Sequence, residues 1–199
     1  IKSPREIKTI RVRLEDLRYL VFMCHLSKEE LRKQGKIHAL EYICWGQFKG
    51  YQRRSTCRSR PKWWDLGESH SELTAWAMIQ FERHNVHYNP GKVELDHNFF
   101  EIFTKTLNIS ISLSAICVST LAILIKELFG RQYGGGSGPI KNEGVDLVKY
   151  TIVSPFDLSA SQRERALKVF EQMANREIKS IFEELGLSEP NTDYSNIDP

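Results

Sequence analysis

Residues 107–124 read LNISISLSAICVSTLAIL, and the reading of this stretch decides what kind of molecule the chain is. It is the one long apolar run in the sequence. A membrane span needs about 20 consecutive, predominantly apolar residues. Here Asn108, Ser110, Ser112, Ser114, Ser119 and Thr120 interrupt the run. It is too polar for a membrane span and fits a buried helix of a water-soluble core. The apolar pattern continues to Phe129, so Ser112–Phe129 is expected to be the longest apolar helix, capped near Gly130.

The flanking segments carry weaker but readable patterns. Lys8–Arg13 (KTIRVR) alternates like a short strand. Leu17, Leu20, Val21 and Cys24 fall at helical spacing, which predicts a helix over Leu14–Cys24. Ser27 with Glu30 three residues on forms a capping box, and Gly35 ends the helix that it opens. Ile37–Gly50 begins as another helix and is expected to stop near Gly46. Leu73–Phe81 is apolar enough for a buried strand. Asn85–Tyr88 and Lys92–Leu95 flank Asn89-Pro90-Gly91 and predict a hairpin. Asn98–Phe103 and Val148–Val153 read as further strands. Ser159 or Ser161 should cap an amphipathic helix reaching Leu185, and Glu189–Pro199 should fray.

The 199 residues allow one large domain or two small ones, and 41% hydrophobic content suits a packed core. The formal net charge of +3 is unevenly spread. Residues 1–150 hold 23 Lys+Arg against 16 Asp+Glu, while residues 151–199 hold 5 against 9. The acidic end should therefore face away from any polyanion. Cys24, Cys44, Cys57 and Cys117 are widely spaced, with no CxxC pair, so no zinc site is expected. Nothing resembles a signal peptide, and a cytoplasmic, reduced protein without membrane attachment is the expectation. The chain begins at Ile1 rather than Met, which reads as a piece of something longer.

The strongest chemical signal is KGYQRRSTCRSRPKWW, residues 49–64. Lys49, Arg53, Arg54, Arg58, Arg60 and Lys62 crowd together, and no carboxylate lies between Glu41 and Asp65. Tyr51, Trp63 and Trp64 sit among them. Cations neutralise phosphates and release counterions. Arginine pairs with the guanine edge, and aromatic rings stack on unpaired bases. The plain alternative is a solvated basic loop whose tryptophans belong to the core. Arg58 and Arg60, if extended, would point the same way.

Other chemistry is weak. Glu6-Ile7-Lys8 and Glu177-Ile178-Lys179 each offer Glu-x-Lys, but neither has an Asp at nuclease spacing. His84 and His87, with Asp96 and His97 downstream, could serve a metal, yet on a strand His84 and His87 would face opposite sides. GRQYGGGSG (130–138) lacks the Lys-Ser/Thr of a P-loop. It reads either as a loop reaching into a groove, with Arg131 at its base and Gly134 and Gly135 within it, or as a plain connector. No catalytic residue and no metal site is assigned.

Three segments in order carry a family resemblance. TCRSRPKWWDLGE (Thr56–Glu68) resembles the arginine-rich stretch ending in an aromatic pair and Asp-Leu in target-recognition regions of N6-adenine DNA methyltransferases. HNVHYNPGKVELDHNFFEIF (His84–Phe103) resembles the turn and strand that follow. STLAILIKELFGRQYGGGSGPIKNEGVDLVKYTIVSP (Ser119–Pro155) resembles the helix, Gly-Arg, glycine-rich loop and Asp-Leu…Pro ending. The match is to the form fused into type IIG restriction-modification enzymes and spans roughly Ser3 to Pro155. In that family a methyltransferase domain binds S-adenosylmethionine and flips the adenine with an Asn/Asp-Pro-Pro-aromatic motif. A TaqI-like C-terminal specificity domain reads the DNA. Asn89-Pro90 is followed by Gly91, so the catalytic motif is absent and the chain resembles the specificity part alone.

The resemblance implies an α+β (mixed α/β) target-recognition domain over residues 1–155, with short strands and a buried apolar helix. An amphipathic helix and a frayed tail would follow over 156–199. It implies double-stranded DNA as partner, held by Lys49, Tyr51, Arg53, Arg54, Arg58, Arg60, Lys62, Arg131, Gly134 and Gly135. It also implies an upstream methyltransferase domain in the same polypeptide that takes the S-adenosylmethionine, with no cofactor in this fragment. Two rivals stand beside it. One is half of a type I specificity subunit, although no internal repeat is present. The other is a protein-interaction module working through the apolar and terminal helices.

Overall fold

The computed structural model describes residues 1–68, 70–104, 106–133 and 138–187. The chain divides into Leu20–His70 and a larger unit made of Ile1–Tyr19 together with the chain from Ser71 onward. The smaller unit is helical. Helix α1 (Lys28–Lys33) starts at Ser27, whose hydroxyl accepts from Glu30 N at 3.2 Å. The Glu30 carboxylate accepts from Ser27 N at 2.7 Å, which holds its pKa below the ordinary value. Gly35 then takes a left-handed φ of +64°, which suits glycine. Helix α2 (Ile37–Phe48) follows, then a 3₁₀ turn over Tyr51–Arg53 and the short α3 (Ser55–Arg58). Leu31, Ile43 and Trp64 form the core, with Phe22, Cys24, Leu26, Leu40 and Trp63 packed around them.

Two expectations fail in this region. The helix predicted over Leu14–Cys24 is absent: a 3₁₀ turn covers Leu14–Asp16, and the chain then runs without regular structure to Ser27. Phe22, Cys24 and Leu26 are half-buried while Val21, Met23 and His25 are exposed, so the period there is two. Gly46 does not stop α2. It lies buried inside the helix, where a Cβ would sit 2.3 Å from the Trp63 ring. The helix ends instead before Gly50, at φ +76°.

The larger unit is built on strands β1 (Thr74–Ala77), β2 (Ile79–Gln80), β3 (Val86–Tyr88) and β4 (Phe99–Ile102). An antiparallel sheet of order β3-β1-β4 pairs Ala75 with His87 on one side and with Glu101 on the other. Successive β1 side chains serve opposite faces. Trp76 joins a core with Leu113, Cys117, Phe170 and Ile178, whereas Ala75 and Ala77 join Ile7, Val12 and Phe99. A strand buried on both faces reads as a continuous apolar run, which is why LTAWA lacks alternation. The short strand expected over Lys8–Arg13 does not form: the segment makes only isolated bridges at Thr9 and Arg11, and Val12 N bonds the Tyr88 carbonyl at the sheet edge. Lys92–Leu95 forms no strand. Val86–Tyr88 pairs with β1, and the Asn89 carboxamide closes the intervening turn onto both backbone groups of Val93.

Helices α4 (Leu107–Cys117) and α5 (Thr120–Phe129) replace the single helix expected over Ser112–Phe129. They meet at 66°, because Ser119 leaves helical geometry and caps α5 through Ala122 N. No single helix is long and apolar enough to cross a membrane. The serines that interrupt the apolar run are satisfied inside the fold. Ser112 and Ser114 donate to the carbonyls of Asn108 and Ser110, and Ser114 also meets Thr74 at 2.6 Å. A second antiparallel sheet, of order β2-β6-β5, uses β5 (Arg131–Gln132) and β6 (Ile140–Lys141).

Helix α6 (Gly144–Leu147) follows, and no strand forms over Val148–Val153. The terminal helix is two pieces: α7 (Ala160–Ala174), capped by Ser159, and α8 (Ile181–Glu184), capped by Ser180. Phe170 and Ala174 of α7 enter the main core. Residues on both sides of the boundary expected near Pro155 thus share one hydrophobic cluster. The architecture is α+β, with short strands and several helices.

Candidate nucleic-acid interface

The helical unit holds the basic segment. Leu20–His70 contains 10 Lys+Arg against 5 Asp+Glu, while the rest of the chain holds 18 against 20. Within it Lys49, Arg53, Arg54 and Arg58 are exposed, and Tyr51, Arg60 and Lys62 are half-buried. The segment is compact rather than extended: a 3₁₀ turn, α3 and a tight turn carry it, so Arg58 and Arg60 do not stand on one strand face. Arg54 lies over the Tyr51 ring at 4.3 Å. Among the described residues, Lys49, Arg53, Arg54, Arg58 and Arg60 have no carboxylate partner, and Lys62 pairs with Asp65 at 3.3 Å.

Asp65 organises the end of this segment. It accepts from Gly67 N at 3.0 Å and from His25 at 2.8 Å, and it faces Lys62. These bonds, the Gly67 one foremost, hold its carboxyl down to about 2. Lys62 also donates to the His25 carbonyl, so its role is largely to tie the segment down. Trp63 and Trp64 belong to the core cluster, Trp64 buried and Trp63 wedged against Gly46. Their expected alternatives thus resolve toward packing. A groove of about 470 Å³ opens beside them, lined by Lys28, Arg58, Arg60 and Lys62 with Gln52 and Glu29.

The sequence reading missed an aromatic row. Phe22, Tyr42, Trp45, Tyr51, Trp63 and Trp64 form an unbroken chain of ring contacts, with centroids 4.8 to 6.2 Å apart. Tyr42 and Trp45 are each 45% exposed, and Phe48 is 86% exposed. The three recur at every third position of α2, a signal present in EYICWGQF but hidden by reading the helix for its buried side alone.

Arg131 lies in the larger unit. Its guanidinium donates to the Asp146 carboxylate at 2.9 Å, and Asp146 in turn accepts from Glu143 N at the start of α6. Asp146 is held below its ordinary pKa by the Glu143 and Arg131 bonds, against the opposing effect of burial. Arg131 therefore braces the segment around the glycine-rich loop. Gly130 before it packs so closely that a Cβ would sit 2.3 Å from Ile140. Gly134 and Gly135 lie outside the described residues.

The remaining candidates are structural. His84 donates to the Cys117 carbonyl at 2.7 Å, and His87 lies 3.1 Å from the Thr9 carbonyl. Burial lowers their pKa values to about 3 and about 4. The two Glu-x-Lys segments pair with each other through Thr9 and Glu177, with Ile7 and Ile178 buried, and Glu177 is not on a helix. No group of three metal-ligating side chains occurs among the described residues. Lys126 on α5 is fully buried, its ammonium 5.1 Å from the Trp76 ring centroid, and burial pushes it down to about 7.

Residues 10–184 match the family described as Type II methyltransferase M.Eco57I, C-terminal domain. That span covers most of the chain, and the chain belongs to this family. It is a module of the restriction-modification methyltransferase kind. No curated protein and no solved structure matches it.

Proposed function

We propose that this chain is the DNA-recognition module of a restriction-modification N6-adenine methyltransferase. The single observation that supports it best is the helical unit's surplus of cations without carboxylate partners. Folding gains little from crowding like charges on one small unit. A polyanion gains a great deal from meeting them, through counterion release. In this reading Lys49, Arg53, Arg54, Arg58 and Arg60 contact phosphates or base edges of duplex DNA beside Tyr51. Lys62 holds the contacting segment in place, and Arg131, Gly134 and Gly135 are further DNA contacts that the family resemblance suggests.

Catalysis falls to a methyltransferase domain upstream in the same polypeptide. The residues of this chain do not fit an S-adenosylmethionine or adenine site at Asn89-Pro90. The Asn89 carboxamide is buried and used up in closing its own turn onto Val93. The cofactor therefore belongs with the upstream domain.

The protein-interaction reading has one observation in its favour. Leu121, Leu124 and Leu128 form an exposed apolar face on α5, at 46, 51 and 67% exposure. The two readings separate by salt. Binding to duplex DNA should weaken steeply between low and physiological salt, with a log–log slope of about −0.9 per phosphate contact. A binding curve for duplex DNA that is flat in salt, or no binding at low salt, defeats the DNA reading. Incubation with DNA and labelled S-adenosylmethionine should give no methyl transfer by this chain.

A further inference from the structure

The exposed rings of α2 ask for more than a duplex contact surface. Phosphate contacts need cations, and base-edge contacts in a groove need hydrogen-bond donors. Neither needs Phe48, whose ring is 86% exposed, or the open faces of Tyr42 and Trp45. Bases in a duplex hide their faces in the stack, while an unpaired base offers a flat face to any ring beside it. The surroundings of these rings select a polyanion over an apolar protein surface. Lys49 sits 6.0 Å from the Phe48 ring centroid, Arg54 covers Tyr51, and no carboxylate occurs between Glu41 and Asp65. The rings are also pre-organised: Trp45 contacts Tyr42 at 5.7 Å and Tyr51 at 5.5 Å, so its indole is held before any ligand arrives.

We propose that the Tyr42–Trp45–Phe48 row is a stacking platform for unpaired DNA bases, with Lys49 and Arg53 taking the adjoining phosphates. The proposal rests on the DNA reading above and deepens it: the helical unit prefers DNA whose bases are opened. A strand opened next to a target adenine, or a single-stranded end, would offer such bases.

The test uses the whole chain and three labelled probes: a matched duplex, the same duplex with a central mismatch, and a single strand of roughly 20 nucleotides, long enough for several stacked bases. Fluorescence anisotropy gives the affinities at two salt concentrations. The mismatched duplex and the single strand should bind about tenfold tighter than the matched duplex, the size of one stacking contact. Phe48→Ala and Trp45→Ala should each remove most of that preference and leave matched-duplex affinity within about twofold. Arg53→Ala should weaken all three probes alike. Phe48 is exposed, so its replacement leaves folding intact, and Phe48→Leu keeps apolar area without a ring. Equal affinity for all probes overturns the platform alone, and so does a preference that survives Phe48→Ala or is restored by Phe48→Leu. Absence of salt-dependent binding to every probe overturns the DNA reading with it.

Discussion

Arg131 and Arg176 of the larger unit each face a carboxylate, Asp146 at 2.9 Å and Glu184 at 2.6 Å. Lys126 there is buried under Trp76. In Leu20–His70, by contrast, Arg53 and Arg58 stand exposed and Arg60 half-exposed, with no carboxylate partner among the described residues. The same residue types thus do two jobs in one chain. Those three cations of the larger unit are matched or packed because the fold around them needs them. In the basic segment of the helical unit they are held out, with Asp65 tying only Lys62. With 10 Lys+Arg against 5 Asp+Glu in the helical unit and 18 against 20 in the rest of the chain, the surplus of the first points outward, toward a partner that supplies the anions. Four experiments test that contrast.

The largest expected effect is on acid stability, and it should divide the units. Burial holds His84 at about 3 and His87 at about 4, below their ordinary 6.5. The unfolded state therefore takes up protons first as pH falls. Stability is present in full above about 6.5 and drains away as pH drops through about 4. The helical unit has no buried histidine among its described residues, and Asp65, lowered to about 2, sustains its contacts well below pH 4. Residue-resolved hydrogen exchange near pH 4.5 should show β1 and β3 losing protection while α2 keeps it. Simultaneous loss in both units breaks the contrast.

Lys126 should show the next largest effect. Its folded value of about 7 lies below the ordinary 10.5, so folding penalises the charged form. The penalty is complete below about pH 7 and fades as pH rises toward 10.5. Lys126→Met should raise stability at pH 7 by roughly 2–5 kcal/mol, and that advantage should shrink at pH 10. Urea melts at the two pH values measure it. A less stable variant at pH 7 would mean that the Trp76 contact outweighs desolvation.

Asp146→Ala should lower the melting temperature, because it removes the first-turn partner of α6 and strands Arg131. Arg131→Ala should cost less, since that side chain is 55% exposed and leaves no buried charge unpaired. Thermal melts of both variants decide. If Arg131→Ala leaves melting unchanged yet weakens DNA binding at every sequence, Arg131 is a phosphate contact rather than a brace.

The smallest effect on stability is expected at the open arginines. Arg58→Ala and Arg60→Ala should move stability by no more than about 0.5 kcal/mol. Binding should fall by about 1–3 kcal/mol if either reads a guanine, with relaxed preference at that position. A phosphate contact should instead flatten the salt slope by about one unit. Early melting with unchanged affinity would make them structural, like Arg131.

Much of this was legible along the chain. The Ser27–Glu30 capping box and the buried strand around Trp76 follow from local patterns, whereas the choice between stacking and packing for Trp63 and Trp64 stayed open until the fold placed them in a core. The errors share a cause. At Leu14–Cys24 apolar residues fell at helical spacing by coincidence, while the true alternation of Phe22, Cys24 and Leu26 ran beneath it. At Gly46 a breaker residue was needed for its small size, since the Trp63 ring occupies the space of a Cβ. At Ser119 a cap was hidden within an apolar run.

The sequence by itself determined the α+β character, the family resemblance and the concentration of cations before the Trp63–Trp64 pair, because composition, caps and motif order are local properties. Only the tertiary structure decided which cations are matched. Arg131 meets Asp146 across 15 residues, and Arg11 meets Glu171 across 160, pairings that no local pattern encodes. Likewise, helical spacing places Tyr42, Trp45 and Phe48 near one another, but a ring counts as exposed only once every element that could cover it has packed elsewhere. The physical reason is that charge and apolar area are carried by residues, whereas pairing and exposure belong to the whole folded surface.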